Sequence, residues 1–291
     1  MPRYCDHNAP RWKGGPMLKG SLAFLALALA STLLSSAASA EETRRVEGLD
    51  FDAVMVYGDV EVEISQGDTV ELLLRGDREE LDLQPFLVDG TTLLLGGSRE
   101  SRRADFDGVK FRLTTPTLEH LEVKGSGDVY VQPFTSDSLF VSAAGTGNVR
   151  LFEVESGSTT LQLSGSGRIQ LARLTSRELK VALSGSGDIQ LGEVDARGVE
   201  VSVRGSGDIS LESARRADNL ELSIVGSGDV DFRNMDSGRA EVNIVGSGDA
   251  RIGEIEVLEV NILGSGDVVY RGSPVIEQDL LIGSGDLRRE R

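Results

Sequence analysis

A four-residue motif, Gly-Ser-Gly-Asp or a close variant, occurs nine times between Gly125 and Asp286. The first glycines of successive motifs are 18 to 21 residues apart. These glycines are Gly125, Gly145, Gly165, Gly185, Gly205, Gly226, Gly246, Gly264 and Gly283. A nearly fixed period of this length is typical of a solenoid or another stacked array, in which each repeat contacts only its neighbours.

Apolar and polar residues alternate on both sides of each motif. Around Gly185, for example, Val181 and Leu183 precede the motif and Ile189 and Leu191 follow it. Alternation with a period of two indicates strands with one buried face. Glycine suits the corner between the strands because a tight corner needs positive φ or a close approach of two backbones.

Two all-β arrangements fit such a unit. In a parallel solenoid, each strand pairs with the coils above and below it, and a right-handed winding is expected for parallel crossovers. In an antiparallel meander, each Ser-Gly pair would instead be a hairpin turn. The strict period favours the first. We therefore predict an all-β, right-handed, parallel β-helix-like solenoid with a coil of 20 residues, preceded by irregular β structure.

The chain is predicted to begin with a secretory signal peptide, residues 1–40. Lys13 and Lys19 precede an apolar run, residues 22–34, and small residues end the segment at Ala40. This order is that of a cleaved export signal, and the run is too short for a convincing membrane span. No membrane span is predicted in the rest of the chain.

Residues 41–291 are predicted to form one domain. Residues 45–120 show less regular β patterning, and residues 121–287 contain the nine repeats. The last repeat departs from the pattern, because Asp279 stands where the others carry an apolar residue, and a charged tail follows. Both features are typical of a capping repeat.

Charge and composition exclude several classes of partner. The full chain has a net charge of −17, and residues 41–291 contain 26 basic and 46 acidic residues, a net charge of −20. Such a field repels nucleic acids and anionic lipid surfaces. Residues 41–291 lack cysteine and retain one histidine, His120, so metal sites built on these two residue types are excluded. His120 is expected at the surface.

The repeat series from Gly125 to Asp286, preceded by the segments 46–51 (VEGLDF) and 60–64 (VEVEI), resembles the head GIN domain of auto-transporter adhesins. The resemblance covers nearly all of residues 45–287. It implies a right-handed β-helix-like fold whose tight turns join two sheets, in exported bacterial proteins that act in adhesion. It implies no catalytic residue, because the family's motif is a structural turn.

The motif aspartates are the candidate metal ligands. Stacked coils would bring them onto one edge about 5 Å apart, and Ca²⁺ prefers oxygen ligands. The candidates are Asp188, Asp208, Asp229, Asp249 and Asp267. However, Asn148 and Arg168 occupy the same motif position, which indicates that the corner forms without a carboxylate. The sequence therefore favours a turn role, with a calcium ladder as the alternative; no other cofactor is predicted.

A second candidate site lies just before the motif in the later repeats. The residues there are apolar, namely Val225, Val245, Leu263 and Ile282, whereas earlier repeats place residues such as Lys124 and Ser184 there. By alternation these positions face outward. They predict an apolar contact surface for a partner or a second copy, unless tail or loop residues cover it.

Two function classes remain. The first is an exported, non-catalytic binding or adhesion-type module of the periplasm or cell surface, which engages an unidentified envelope polymer or protein. The alternative is a calcium-dependent, polysaccharide-active enzyme of the β-helix type. The outward positions carry ordinary mixtures of polar residues, and the whole chain has only four Tyr and nine Phe for stacking on sugars. We therefore predict a binding module and no enzymatic activity.

Overall fold

A computed structural model describes residues 41–97 and 106–290, and the predicted signal peptide lies outside them. One short helix, α1, spans Arg78–Asp82. The strands before the regular repeats are β1 Glu42–Glu47, β2 Ala53–Gly58, β3 Glu61–Gln66, β4 Glu71–Gly76, β5 Phe86–Asp89, β6 Thr92–Leu95, β7 Lys110–Thr115, β8 His120–Gly125 and β9 Asp128–Val131. The strands of the repeats are β10 Phe134–Gly145, β11 Asn148–Gly165, β12 Arg168–Gly185, β13 Asp188–Gly205, β14 Ile209–Ala214, β15 Ala217–Gly226, β16 Val230–Phe232, β17 Ser237–Gly246, β18 Ala250–Gly264, β19 Val268–Arg271, β20 Val275–Gly283 and β21 Leu287–Arg289.

The repeats stack in parallel, one coil on the next. Strands β11, β12 and β13 pair in parallel along their lengths, with Leu161 beside Val181 and Val181 beside Val201. The corner glycines form one column, in which Gly165 pairs with Gly185. The predicted β-solenoid with a turn spacing of about 20 residues is therefore confirmed. The antiparallel meander is excluded for the repeats, since their pairings are parallel.

Each regular coil has three ladder segments rather than two. In β11, the pairing with β12 covers residues 148–151, 153–156 and 158–165, with gaps at Phe152 and Gly157. The burial pattern changes at the same places: Leu151 and Val154 are both buried although they are three residues apart. A step of three instead of two turns the chain while keeping the side chain inside. The resemblance implied two sheets joined by tight turns, whereas the structure has a third, middle ladder segment in each regular coil.

The N-terminal part of the chain forms coils in an order that differs from the sequence. Strand β2 lies between β6 and β8, and β3 lies between β7 and β9. In the stack, the β6–β7 coil thus lies on the far side of the β2–β3 coil from the repeats, although it comes later in the chain than the β2–β3 coil. Strands β4 and β5 add to it in antiparallel fashion, and β1 pairs with β4. This is the irregular β structure that the sequence indicated.

The core is one aliphatic column inside the stacked coils. Neighbouring coils place Leu222, Val242 and Val260 in register, and each has no exposed surface. Buried polar side chains are few among the described residues: Thr115, Thr159, Ser176 and Ser237. Because one coil alone buries little, each depends on its neighbours for its core.

Candidate binding surface

The motif glycines build a tight corner that is repeated from coil to coil. The first glycine of each motif has positive φ, from 126° to 143°. In most coils its carbonyl oxygen accepts two hydrogen bonds from the next coil; at Gly165 the donors are the N–H groups of Ser186 and Gly187, both at 3.0 Å. The corner is thus held by backbone groups, and the motif serine contributes its backbone N–H.

The motif aspartates of the later coils complete this backbone ladder. Asp208 accepts a hydrogen bond from the N–H of Asp229 at 2.9 Å, and Asp229 accepts one from Asp249 at 2.8 Å. The same contact joins Asp249 to Asp267 and Asp267 to Asp286, each at 2.9 Å. One oxygen of each carboxylate therefore serves as a backbone acceptor, which a turn role explains directly.

Asp128 accepts the N–H of Asn148 in the same way at 3.2 Å, but the next two coils form the corner differently. Arg168 and Asp188 donate their backbone N–H groups to the carbonyl oxygens of Gly147 and Gly167, and the side chains of Arg168 and Asp188 form an ion pair at 3.1 Å. No group of three or more His, Cys, Asp or Glu side chains in residues 41–97 and 106–290 is arranged to hold a metal ion. The calcium ladder stays a prediction.

The four apolar residues before the later motifs form a continuous exposed row. Val225 pairs with Val245, Val245 with Leu263, and Leu263 with Ile282. Their exposed fractions are between 45% and 53%. Leu280 and the side chains of Asn243 and Asn261 line a shallow groove beside the row. We call the row Val225, Val245, Leu263 and Ile282 the apolar stripe.

A row of glutamates runs parallel to the apolar stripe on the same face. Glu200, Glu221, Glu241 and Glu259 are in register on neighbouring strands. Each precedes its corner glycine by five residues, so this fixed offset could have revealed the glutamate row in the sequence. Glu221 and Val225 lie four residues apart on β15, about 13 Å along the strand.

The ends of the glutamate row are neutralised, and its middle is not. Lys180 pairs with Glu200 at 2.5 Å, and this hydrogen bond raises the pKa of Lys180. Arg239 pairs with Glu259 and Glu277. Glu241 accepts a hydrogen bond from the amide of Asn243 at 2.9 Å. Within the described residues, no ion pair involves Glu221 or Glu241. This face therefore combines an acidic row and an apolar row.

The remaining groups with shifted pKa values are in surface ion pairs. Arg44 has a raised pKa because it donates hydrogen bonds to Asp82 and Glu42. Lys124 has a raised pKa because of its hydrogen bond to Glu122. His120 is exposed, with its ring centroid 5.7 Å from that of Phe140. These pairs stabilise charges that already exist at neutral pH, so their pKa shifts do not indicate a catalytic acid or base.

The fold and this surface define a class of protein, a β-solenoid repeat protein with an exposed apolar stripe. Comparison with known families places it further. Residues 50–217 and 159–274 match the sequence profile of the family described as "putative auto-transporter adhesin, head GIN domain". The chain belongs to this family, as the Gly-Ser-Gly-Asp series led us to expect.

Solved structures share the fold. A crystal structure described as a putative lipid binding protein from Parabacteroides distasonis is 25% identical, with a TM-score of 0.63, over 86% of this chain and 97% of that one. One described as a putative adhesin from Parabacteroides merdae is 22% identical, with a TM-score of 0.64, over 86% and 96%. No curated protein matches the sequence. Across the described part of the chain, no helix has the length and apolar character that crossing a membrane requires.

Proposed function

We propose that this protein is an exported, non-catalytic binding module of the adhesion type. The apolar stripe, with the glutamate row beside it, engages an envelope protein or polymer. The observation that carries the proposal is the stripe itself. Four neighbouring coils each expose an apolar side chain whose burial would be favourable. Contiguous exposed apolar rows mark interaction sites.

The stacking of the coils explains why such a surface binds by repeated contacts. The three coils that carry Val225, Val245 and Leu263 each add one apolar side chain and one carboxylate, at about 4.8 Å from the same groups on the next coil. A partner that lies along the solenoid axis therefore meets the same pair of groups several times. Each contact is weak, but together they add up because the solenoid holds the groups in fixed register.

The charge of the surface favours a partner with cationic groups. Glu221 and Glu241 have no ion-pair partner among the described residues, so a cation on the partner would gain attraction without displacing an internal ion pair; at Glu241 it would compete only with the amide of Asn243. The net charge of −20 for residues 41–291 acts in the same direction and repels polyanions. Family membership supports an exported protein of the periplasm or cell surface.

The test measures co-sedimentation of the labelled protein with isolated bacterial membranes, peptidoglycan sacculi and phosphatidylcholine vesicles. The vesicles are included because one structural neighbour is described as a putative lipid binding protein. We expect Val225→Ser/Val245→Ser to weaken binding to the retained fraction at least about 10-fold, through the loss of apolar contact. Ser164→Ala/Ser184→Ala is the matched control, because these residues occupy the same row of earlier coils.

A second pair of variants tests the charge. Glu221→Gln/Glu241→Gln should weaken binding and reduce its dependence on salt concentration, because the removed carboxylates, exposed at Glu221 and half-buried at Glu241, are surface charges that salt screens. The proposal is wrong if Val225→Ser/Val245→Ser binds as well as wild type, or if no fraction retains the wild-type protein. Consumption of a polysaccharide by the protein would instead favour the enzymatic alternative.

A further inference from the structure

At the C-terminal end of the described solenoid, one edge of strand β20 is unpaired and part of its core side is uncovered. Within the described residues, β20 pairs only with β18, and β21 pairs only with β19. Ile276 and Leu281 are in register with Leu258 and Ile262, which are buried in the preceding coil. Yet Ile276 and Leu281 are 41% and 43% exposed. They occupy core positions of the last coil that the described residues form.

Such an end has the groups that another coil would need. Each boundary between repeat coils joins two coils by parallel hydrogen bonds and an apolar column, and β20 continues both. An exposed edge of this kind is a template for pairing with a further strand. A second copy that meets the same end about a twofold axis would offer its own β20, which would pair with this edge in antiparallel fashion.

One residue interrupts the column at this end. Asp279 is in register with Val260, which has no exposed surface, and the same row continues inward through Val242 and Leu222. The carboxylate therefore stands at a core position of the last coil. Arg288 pairs with Asp267 and Asp286 at this end, and no basic residue in the described part of the chain pairs with Asp279.

We propose that Asp279 prevents end-to-end association of this protein through β20. Two copies that meet at this end would bury two carboxylates, one from each copy, with no cation between them. Burying an unpaired charge is among the most costly events in protein association, and an inward-pointing charge on an edge strand is an effective block to pairing. Ile276 and Leu281 can then remain exposed without joining two molecules.

The experiment compares the sedimentation velocity of the full-length wild-type protein and Asp279→Val. We expect wild type not to associate through this end. Asp279→Val should form a two-copy species whose dissociation constant is at least about 100-fold below that of wild type. Gln278→Val is the matched control, because Gln278 lies on the same strand but pairs with the outward residue Glu259. This control should behave as wild type.

A further variant separates specific pairing from general stickiness. Asp279→Val/Leu281→Lys returns a charge to a neighbouring core position and should restore the wild-type mass. The effect of Asp279→Val should persist when Val225 and Val245 are serine, because the apolar stripe is a different surface. The proposal is overturned if Asp279→Val keeps the wild-type mass, if Gln278→Val associates equally, or if Leu281→Lys does not reverse the association.

Discussion

The carbonyl oxygen of Gly165 lies 2.4 Å from the position that a β-carbon on Gly185 would occupy. Real β-carbons do not come so close to a backbone oxygen, so the corner leaves no room for a side chain. The φ angle of Gly185, 126°, also disfavours any other residue. The period of the Gly-Ser-Gly-Asp motif therefore reflects the close backbone contact that each coil makes with the next.

Replacement of Gly185 by alanine should therefore be among the most destabilising single substitutions in the chain. We expect the free energy of unfolding to fall by about 3 kcal/mol or more, from the combined clash and strained φ. Gly48→Ala is the control, because Gly48 also has positive φ but has open space around its β-carbon position. Urea unfolding of the two variants should separate the clash from the strain; equal losses would contradict this account.

The aspartate ladder predicts different effects for two substitutions at one position. Asp229→Asn keeps an oxygen that can accept the N–H of Asp249, so the unfolding free energy should change by less than about 0.5 kcal/mol. Asp229→Ala removes the acceptor and should cost about 1–2 kcal/mol, because the partly buried N–H of Asp249 loses its partner. Urea unfolding at neutral pH measures both; an equal loss would remove the hydrogen bond from the explanation.

Calcium distinguishes the turn role from the metal ladder. If the carboxylates act as backbone acceptors, the thermal unfolding midpoint should be the same in millimolar calcium and in chelator. The control is Asp208→Asn/Asp229→Asn measured in both conditions. A rise of the wild-type midpoint in calcium that this double variant abolishes would establish a metal site and bring the polysaccharide-active alternative forward.

Strand periodicity made the solenoid predictable, while the geometry of its bends and ends was not. Alternation around residues such as Val181 and Leu183 indicated strands, and the regular glycines indicated stacking. The middle ladder segment was missed because its signal is a three-residue step, as between Leu151 and Val154, which simple alternation overlooks. Gly58 belongs to the same glycine column, since it pairs with Gly125, but it lacks the Ser-Gly that follows in the repeats, so the motif does not reveal it.

The candidate surface shows the same division. The sequence alone located the apolar stripe, because its four residues share one offset from the motif. The glutamate row has an equally regular offset but was overlooked, since single glutamates on a strand resemble ordinary solvated residues. A turn role for the aspartates, with carboxylates that accept backbone N–H groups, follows from the sequence, but the particular N–H group on the next coil does not, because it depends on the height of one coil above the next.

Asp231 and Arg233 predict a small dependence of stability on pH. Their side chains form an ion pair at 2.7 Å. Partial burial acts to raise the pKa of Asp231, but the hydrogen bonds and charge of Arg233 outweigh it, so the pKa lies below its ordinary value. A lowered folded-state pKa stabilises the fold above the unfolded-state pKa, about 3.9, and this contribution is lost as pH falls through the folded-state pKa.

Asp231→Asn should accordingly lower the unfolding free energy at pH 7, by less than about 1 kcal/mol because the pair is partly exposed to solvent. The difference from wild type should shrink as the pH approaches 3. Urea unfolding at pH 7, 5 and 3 follows the trend. A difference that stays constant with pH would mean that packing, rather than charge, accounts for the effect.

Ser237 is a position where a substitution should raise the free energy of unfolding. Its side chain has no exposed surface, and its hydroxyl oxygen has no hydrogen-bond partner in the described part of the chain. On the preceding coil the neighbour in register is Ala217, which is also fully buried. The solenoid therefore already accommodates alanine in this row.

We expect Ser237→Ala to raise the free energy of unfolding by about 1 kcal/mol, since a buried polar group without a partner is removed and little volume is lost. Ser176→Ala is the matched comparison, because the hydroxyl of Ser176 donates to the carbonyl oxygen of Glu178 at 2.9 Å. That variant should lose stability or leave it unchanged. Urea unfolding of both decides the matter: a loss at Ser237 equal to that at Ser176 would mean that the Ser237 hydroxyl is satisfied in solution, for instance by a buried water molecule.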